Sequence, residues 1–181
     1  HADYDSFDMG YYAYGLSLYG NMPLIEPLET RETRKIEDFV IAIDTSMSTS
    51  GELVRAFLEK TCELLQQNTS FFRRINLRIL QCDDKLRSDK VIHDAKEFAD
   101  YMAHFDLIGQ SATDFRPVFE HVDRLVAEGA FHSLRGLLYF TDGLGLYPKK
   151  RPKYDAAFVM LEGECWPDSV PPWGIRVILR E

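Results

Sequence analysis

The sequence predicts a doubly wound α/β fold: a mostly parallel six-stranded sheet with helices on both faces and one antiparallel edge strand. Three observations predict it. Short apolar runs alternate with stretches of helical periodicity, the signature of repeated β–α–β units. The runs Phe39–Asp44 and Leu134–Phe140 are continuously apolar rather than alternating, as in strands buried on both faces. Each run delivers an aspartate at its end, Asp44 in the first and Asp142 just past the second.

Residues 1–35 form a lead-in arm, rich in tyrosine (Tyr4, Tyr11, Tyr12, Tyr14, Tyr19) and broken by Gly10, Gly15, Gly20, Pro23 and Pro27. Such an arm is expected to pack onto the domain it precedes, residues 36–181. Asp3, Asp5 and Asp8 lack the glycine and terminal glutamate of a calcium-binding loop and read as a frayed acidic end. The charged stretch Glu29–Asp38 reads as a solvated connector.

Phe39–Asp44 is the first strand. Thr49 and Glu52 stand in capping-box spacing, and Leu53, Val54, Phe57, Leu58, Thr61, Leu64 and Leu65 continue with helical periodicity. Ile75–Cys82 alternates apolar and polar residues, a second strand with one wetter face. Asp83-Asp84 reads as a solvated turn, after which Lys85–Ile92 returns as the antiparallel edge. Ala95–Phe105 is expected to be helical. Thr113-Asp114 can cap a further helix with Pro117 in its first turn. That helix carries Val118, Phe119, Val122, Leu125 and Val126 on one face and stops at Gly129. Leu134–Phe140 is the fourth strand, and Asp155–Leu161 and Gly174–Leu179 are the last two. Pro167, Pro171 and Pro172 mark the loop between them, and its Trp166 and Trp173 are expected to pack against the sheet edge.

If the strands take the common order 3-2-1-4-5-6, the first and fourth are neighbours where the order reverses. Ligands of such sheets bind there, outside the carboxyl ends of the strands. Asp44 and Asp142 then reach one switch point. Ser46 and Ser48 follow Asp44 at alternate positions. A carboxylate and two hydroxyls gathered at a strand end are the hard oxygen ligands that a Mg²⁺-type cation takes.

The bulk properties narrow the class. A formal net charge of −8 over 181 residues disfavours nucleic acid, whose phosphates need a basic face. No apolar stretch approaches the roughly 20 residues of a membrane span, and no signal peptide is visible. The opening His1-Ala2 reads as part of a longer or processed protein. Cys62, Cys82 and Cys165 are odd in number and widely spaced, as expected for free thiols in a reducing cytoplasm. His93, His104, His121 and His132 show no metal-ligand spacing. No Gly-x-Ser-x-Gly elbow or phosphate-cradling glycine loop is present.

Taken together, Asp44-x-Ser46-x-Ser48, the segment Gly109-Gln-Ser-Ala-Thr113-Asp-Phe and Phe140-Thr-Asp142-Gly resemble a von Willebrand factor A (VWA) domain with a metal-ion-dependent adhesion site. The resemblance covers roughly residues 39–180 and implies a Rossmann-like fold. Thr113-Asp-Phe-Arg-Pro-Val-Phe, Tyr139-Phe-Thr-Asp-Gly, Pro171-Pro-Trp and the arm Tyr11-Tyr-Ala-Tyr-Gly-Leu-Ser-Leu-Tyr-Gly-Asn are most similar to one bacterial group. Its members are uncharacterised proteins whose N-terminal half is metallopeptidase-like. The resemblance implies hydroxyl ligation of Mg²⁺ (or Mn²⁺ or Ca²⁺) by Ser46, Ser48 and Thr113, with Asp44 and Asp142 as carboxylate ligands, direct or through water. It implies a partner protein that completes the metal shell with an Asp or Glu, and a MoxR-type AAA+ ATPase as companion. Any peptidase chemistry would lie upstream of this chain. Met47 stands where the motif commonly has glycine and is expected to narrow access to the ion. The alternatives are a Mg²⁺-dependent phosphohydrolase using Asp44 and Asp142, although Ser46 replaces its acid/base aspartate, and a structural domain with an empty site.

Overall fold

Seven strands form one sheet: β1 (Asp5–Asp8), β2 (Glu37–Asp44), β3 (Ile75–Cys82), β4 (Leu86–Ile92), β5 (Leu134–Phe140), β6 (Asp155–Leu161) and β7 (Ile175–Arg180). The structure, a computed structural model, describes residues 5–8, 37–46, 54–56, 58–59, 75–109, 111–163 and 165–180. The order across the sheet is β1-β7-β6-β5-β2-β3-β4. Only the β3–β4 pair is antiparallel. The six expected strands thus take the order 3-2-1-4-5-6. Asp5–Asp8 adds a seventh, pairing in parallel with β7. The acidic end expected to fray therefore supplies a strand at Asp5 and Asp8.

β2 and β5 are adjacent, with Ile43 opposite Phe140. Their carboxyl ends open side by side at the point where the order reverses, the position expected for Asp44 and Asp142. At the opposite end, the buried Asp38 carboxylate accepts the amides of His132 (2.6 Å) and Ser133 (2.9 Å), which fixes where β5 enters beside β2.

Period-two geometry sends alternate residues of each strand to opposite faces. Phe39, Ile41 and Ile43 join Ile79, Leu138 and Val159 on one face. There they meet Val54 and Leu58, from the helical residues 54–56 and 58–59, and Phe98 and Met102 of helix α1 (Ala95–Ala103). Val40 and Ala42 join Leu80, Leu137, Tyr139 and Phe158 on the other face, under Phe115, Val118, Phe119 and Val122 on or beside helix α2 (Arg116–Ala127). Both faces are covered, as the continuous apolar strands require. The rest of the expected helix over 53–65 and its capping box lie outside the described residues.

Helix α2 ends as its sequence dictates. Gly129 takes φ +73°, Ala130 N–H donates to Leu125 O (2.9 Å) and Gly129 N–H to Val126 O (3.2 Å), which is a Schellman closure. At the other end the cap position is Phe115, which has no side-chain cap bond; Asp114, one residue earlier than expected for a cap, instead accepts Arg116 N–H at 3.0 Å and the Arg116 guanidinium at 2.7 Å. Among the described residues Cys82 and Cys165 are unpaired, and burial pushes the Cys82 thiol up to about 12.

The α2 face is aromatic. Phe158 lies 5.9 Å from Phe115, 5.9 Å from Tyr139, 5.2 Å from Tyr147 and 6.0 Å from Trp173, centroid to centroid. Trp173 thus packs into the α2-side core, whereas Trp166 stays 51% exposed instead of packing at the sheet edge. Offset and edge-on rings gain energy beyond the area they bury. Phe158→Ala should therefore lower unfolding free energy by about 3–5 kcal/mol in denaturant titrations. A loss below about 1 kcal/mol would show that the cluster does not organise this face.

Candidate functional site

Three loops meet at the carboxyl ends of β2, β3 and β5. Asp44 closes β2 with 1% of its surface exposed. Its Oδ1 accepts the Ser46 amide at 3.0 Å and the Ser46 hydroxyl. Its Oδ2 accepts the Thr141 hydroxyl at 2.7 Å. The Ser46 hydroxyl also contacts the Thr113 hydroxyl, 67 positions away in the chain. Since Ser46 spends its one proton on Asp44, Thr113 is the donor in that contact. The result is a relay from Thr113 through Ser46 to Asp44.

Asp142 follows β5. Its Oδ1 accepts Leu144 N–H at 2.9 Å, and its charge is close enough to act on Asp44. Burial raises the Asp44 pKa above the ordinary carboxylate value, the hydrogen bonds from Ser46 and Thr141 oppose that rise, and Asp142 adds to it. With a folded-state pKa above the unfolded one, the folded chain holds this proton more tightly. Through Asp44 alone, the metal-free fold loses stability as pH rises through that interval. A cation beside the carboxylate would reverse the penalty.

The structure brings Asp44, Ser46 and Thr113 together, with Asp142 at their side. Ser48 and Met47 lie outside the described residues. Among the described residues no group of three or more His, Cys, Asp or Glu side chains forms a metal site. A cation here would be held through hydroxyls as much as carboxylates. The donor set fits one, because its atoms are all hard oxygens and the buried carboxylate has no cationic side-chain partner among the described residues. Asp44, Ser46, Thr113 and Asp142 would hold it, and it would supply an electrophilic point for an incoming carboxylate. Three of the histidines are engaged elsewhere: His93 with Glu97, His121 with Asp89, and His104 with the Asp100 carbonyl.

Residues that the sequence reading passed over assemble this cluster. Thr141 binds Asp44 and accepts Gly143 N–H at 3.1 Å; it looked like the tail of an apolar strand. Asp83, read as part of a solvated turn, is fully buried. Its carboxylate takes a bidentate grip from Arg87 (2.8 and 3.1 Å) and accepts Ser111 N–H at 3.1 Å, while its carbonyl accepts Asp114 N–H at 3.0 Å. Asp83 therefore clasps the loop carrying Thr113 on both sides of that residue. Gln81 holds the start of the same loop through Ile108 N–H (2.9 Å) and the Asp106 carbonyl (3.1 Å). Gly109 permits the close approach: φ is +121°, and a Cβ there would lie 2.5 Å from Asp83 Oδ2. The loop is stitched to the one after β5 by Phe115 N–H on the Leu146 carbonyl at 3.0 Å. That loop is pinned in turn by the Tyr147 hydroxyl on the Gly143 carbonyl. An Asp-Asp-Lys turn gives no sign of such burial; the one available hint was an arginine, Arg87, four residues after Asp83.

Comparison with known families finds that the profile "VWA-like domain (DUF2201)" matches residues 39–180. No curated protein sequence matches the chain. Among solved structures, one similar fold is proximal thread matrix protein 1 from the mussel byssus (crystal form 2), with a TM-score of 0.54 at 10% identity. The alignment covers 81% of this chain and 43% of that one. The chain thus spans less than half of that protein, and the likeness concerns the fold alone.

Thr141→Val keeps shape and removes the hydroxyl that serves both Asp44 and Gly143. It should destabilise the fold by about 1–3 kcal/mol at neutral pH, and by less in acid, where Asp44 is protonated. Urea titrations at both pH values test this. An equal loss at both would show that Thr141 does not act through the carboxylate.

Proposed function

Since the chain belongs to the VWA-like domain family, we propose that it is a divalent-cation-dependent protein-binding domain. The observation that carries this reading is the contact of Ser46 with both Asp44 and Thr113. Two hydroxyls from distant segments line up on a buried carboxylate, Thr113 reaching Asp44 through Ser46, and Asp142 lies close enough to act on it. Mg²⁺ is the ion of first choice, with Mn²⁺ or Ca²⁺ as substitutes, because the donors are all oxygen. Ser48 would complete the hydroxyl set. Two carboxylates and neutral hydroxyls leave such an ion electrophilic, so an Asp or Glu from a partner can enter its shell.

The surroundings suit a protein partner. Ile108, Leu144, Leu146 and Trp166 are each between 47% and 55% exposed. They stand on the loops at the carboxyl edge of the sheet that carry or adjoin the cluster. Trp166 is tied to it by its amide on the Asp142 carbonyl at 2.8 Å. Exposed apolar side chains gathered at one end of a fold mark interaction sites. Asp44 contacts hydroxyls and an amide and no second acid/base group among the described residues, which favours binding over hydrolysis. The partner class implied by the resemblance is a MoxR-type AAA+ ATPase offering an acidic residue, with any peptidase activity in a metallopeptidase-like region outside this chain.

Calorimetric and thermal titration with Mg²⁺ tests the cation. Wild type should bind, and gain about 2.7 kcal/mol of stability at a free concentration about 100 times Kd. Asp44→Asn should neither bind nor gain, yet without cation it should be at least as stable as wild type, because it removes a buried charge. Equal heats in both proteins would sink the metal assignment.

A further inference from the structure

A second surface lies along helix α2, away from the Asp44 cluster. There a cleft of about 690 Å³ separates the helix from the segment 148–154 that leads into β6. Its floor is apolar, built from Phe119, Val126, Pro152 and Tyr154. Val126 is 40% exposed, a large apolar side chain facing water inside a concavity. The rim is Lys149, Lys150, Arg151 and Lys153, four cations in five residues of a chain whose net charge is −8. Arg151 has a partner in Asp155 at 3.3 Å. Lys149, Lys150 and Lys153 are exposed, and none forms an ion pair among the described residues. Pro148 before the cations and Pro152 between Arg151 and Lys153 each fix φ at their own position, which limits the shapes the rim can take before anything binds.

We propose that this cleft is a separate docking site for an extended acidic segment of a partner protein. An aliphatic or aromatic side chain of that segment covers the floor, and its carboxylates meet Lys149, Lys150 and Lys153. Charge complementarity selects the occupant, since a local positive rim on an acidic chain attracts carboxylates and repels few competitors of its own kind. Glu120 and Asp123 on the helix wall push carboxylates towards the lysine side and so set the direction of the segment. They also disfavour a nucleic acid, which needs phosphate contacts along a broad basic face. This site needs no cation and does not rest on the reading of the Asp44 cluster.

The test is selection of a random phage-displayed peptide library on the whole chain in the presence of EDTA. Anisotropy with the selected synthetic peptide follows. Enriched sequences should carry Asp or Glu around an apolar or aromatic residue. Lys149→Glu/Lys150→Glu/Lys153→Glu, folded by circular dichroism, should weaken binding at least about tenfold, and salt should weaken the wild-type complex. Val126→Asp should weaken it through the floor. Asp44→Asn should bind like wild type, whatever becomes of the metal assignment. The proposal is overturned by no enrichment, by sequences without acidic bias, by unchanged binding to the triple variant, or by an oligothymidine probe that displaces the peptide.

Discussion

A carboxylate at the end of an interior strand, with 1% of its surface exposed, is the constraint around which the carboxyl edge of the sheet is arranged. Burying an unpaired charge costs several kcal/mol even after relaxation. Among the described residues Asp44 has no cationic side chain bonded to it. It has the Ser46 amide and the hydroxyls of Ser46 and Thr141, which lower the cost without removing it, and its pKa remains raised by burial. Packing alone gains nothing from such a group. The arrangement makes energetic sense when an external cation supplies the missing charge, and the relay through Ser46 to Thr113 presents the oxygens that would share it.

The neighbouring loops follow from that requirement. Parallel β2, β3 and β5 end side by side, so their loops leave from one edge and each can send a side chain to the same place. Thr113 is the remote member, 67 positions from Ser46, on the loop between α1 and α2, which needs anchoring to place its hydroxyl accurately. Gln81 and Asp83, consecutive inward-facing groups at the end of β3, hold it at its start and on both sides of Thr113. Arg87 neutralises Asp83, so the clasp does not leave a second uncompensated charge beside Asp44. The same loop then becomes helix α2, whose outer side walls the lysine-rimmed cleft. One helix thus connects two surfaces of opposite chemistry, an acidic oxygen cluster near its start and, across its outer side, a cleft whose far wall, residues 149–153, is basic.

Much of this was legible in the sequence, for physical reasons that differ by element. Buried parallel strands show as unbroken apolar runs, so Phe39–Asp44 and Leu134–Phe140 announced their positions, while their adjacency followed from the common strand order. Asp44, Ser46 and Asp142 stood out together rather than singly, because Asp and Ser after a strand commonly cap the next helix, whereas two aspartates at neighbouring strand ends coincide less often. Asp5–Asp8 was not visible as a strand: it borrows its stability from the open edge of β7, and Asp-Ser-Phe-Asp carries no pattern of its own. Asp83 and Thr141 were missed because burial of a polar side chain depends on which loops fold over it, and local sequence does not record that. The split between Trp166 and Trp173 has the same origin: the two share a proline-rich loop, yet one packs on Phe119 and Phe158 and the other faces water.

The central claim is that the oxygens around Asp44 hold a divalent cation, and a structure of the Mn²⁺-loaded protein tests it most directly. Anomalous scattering from crystals grown with Mn²⁺ should give one strong peak in contact with the Ser46 and Thr113 hydroxyls, beside Asp44 and Asp142, absent in Asp44→Asn. A map with no peak at that position, or with its main peak elsewhere while the Thr113–Ser46–Asp44 relay stays intact, would contradict the account.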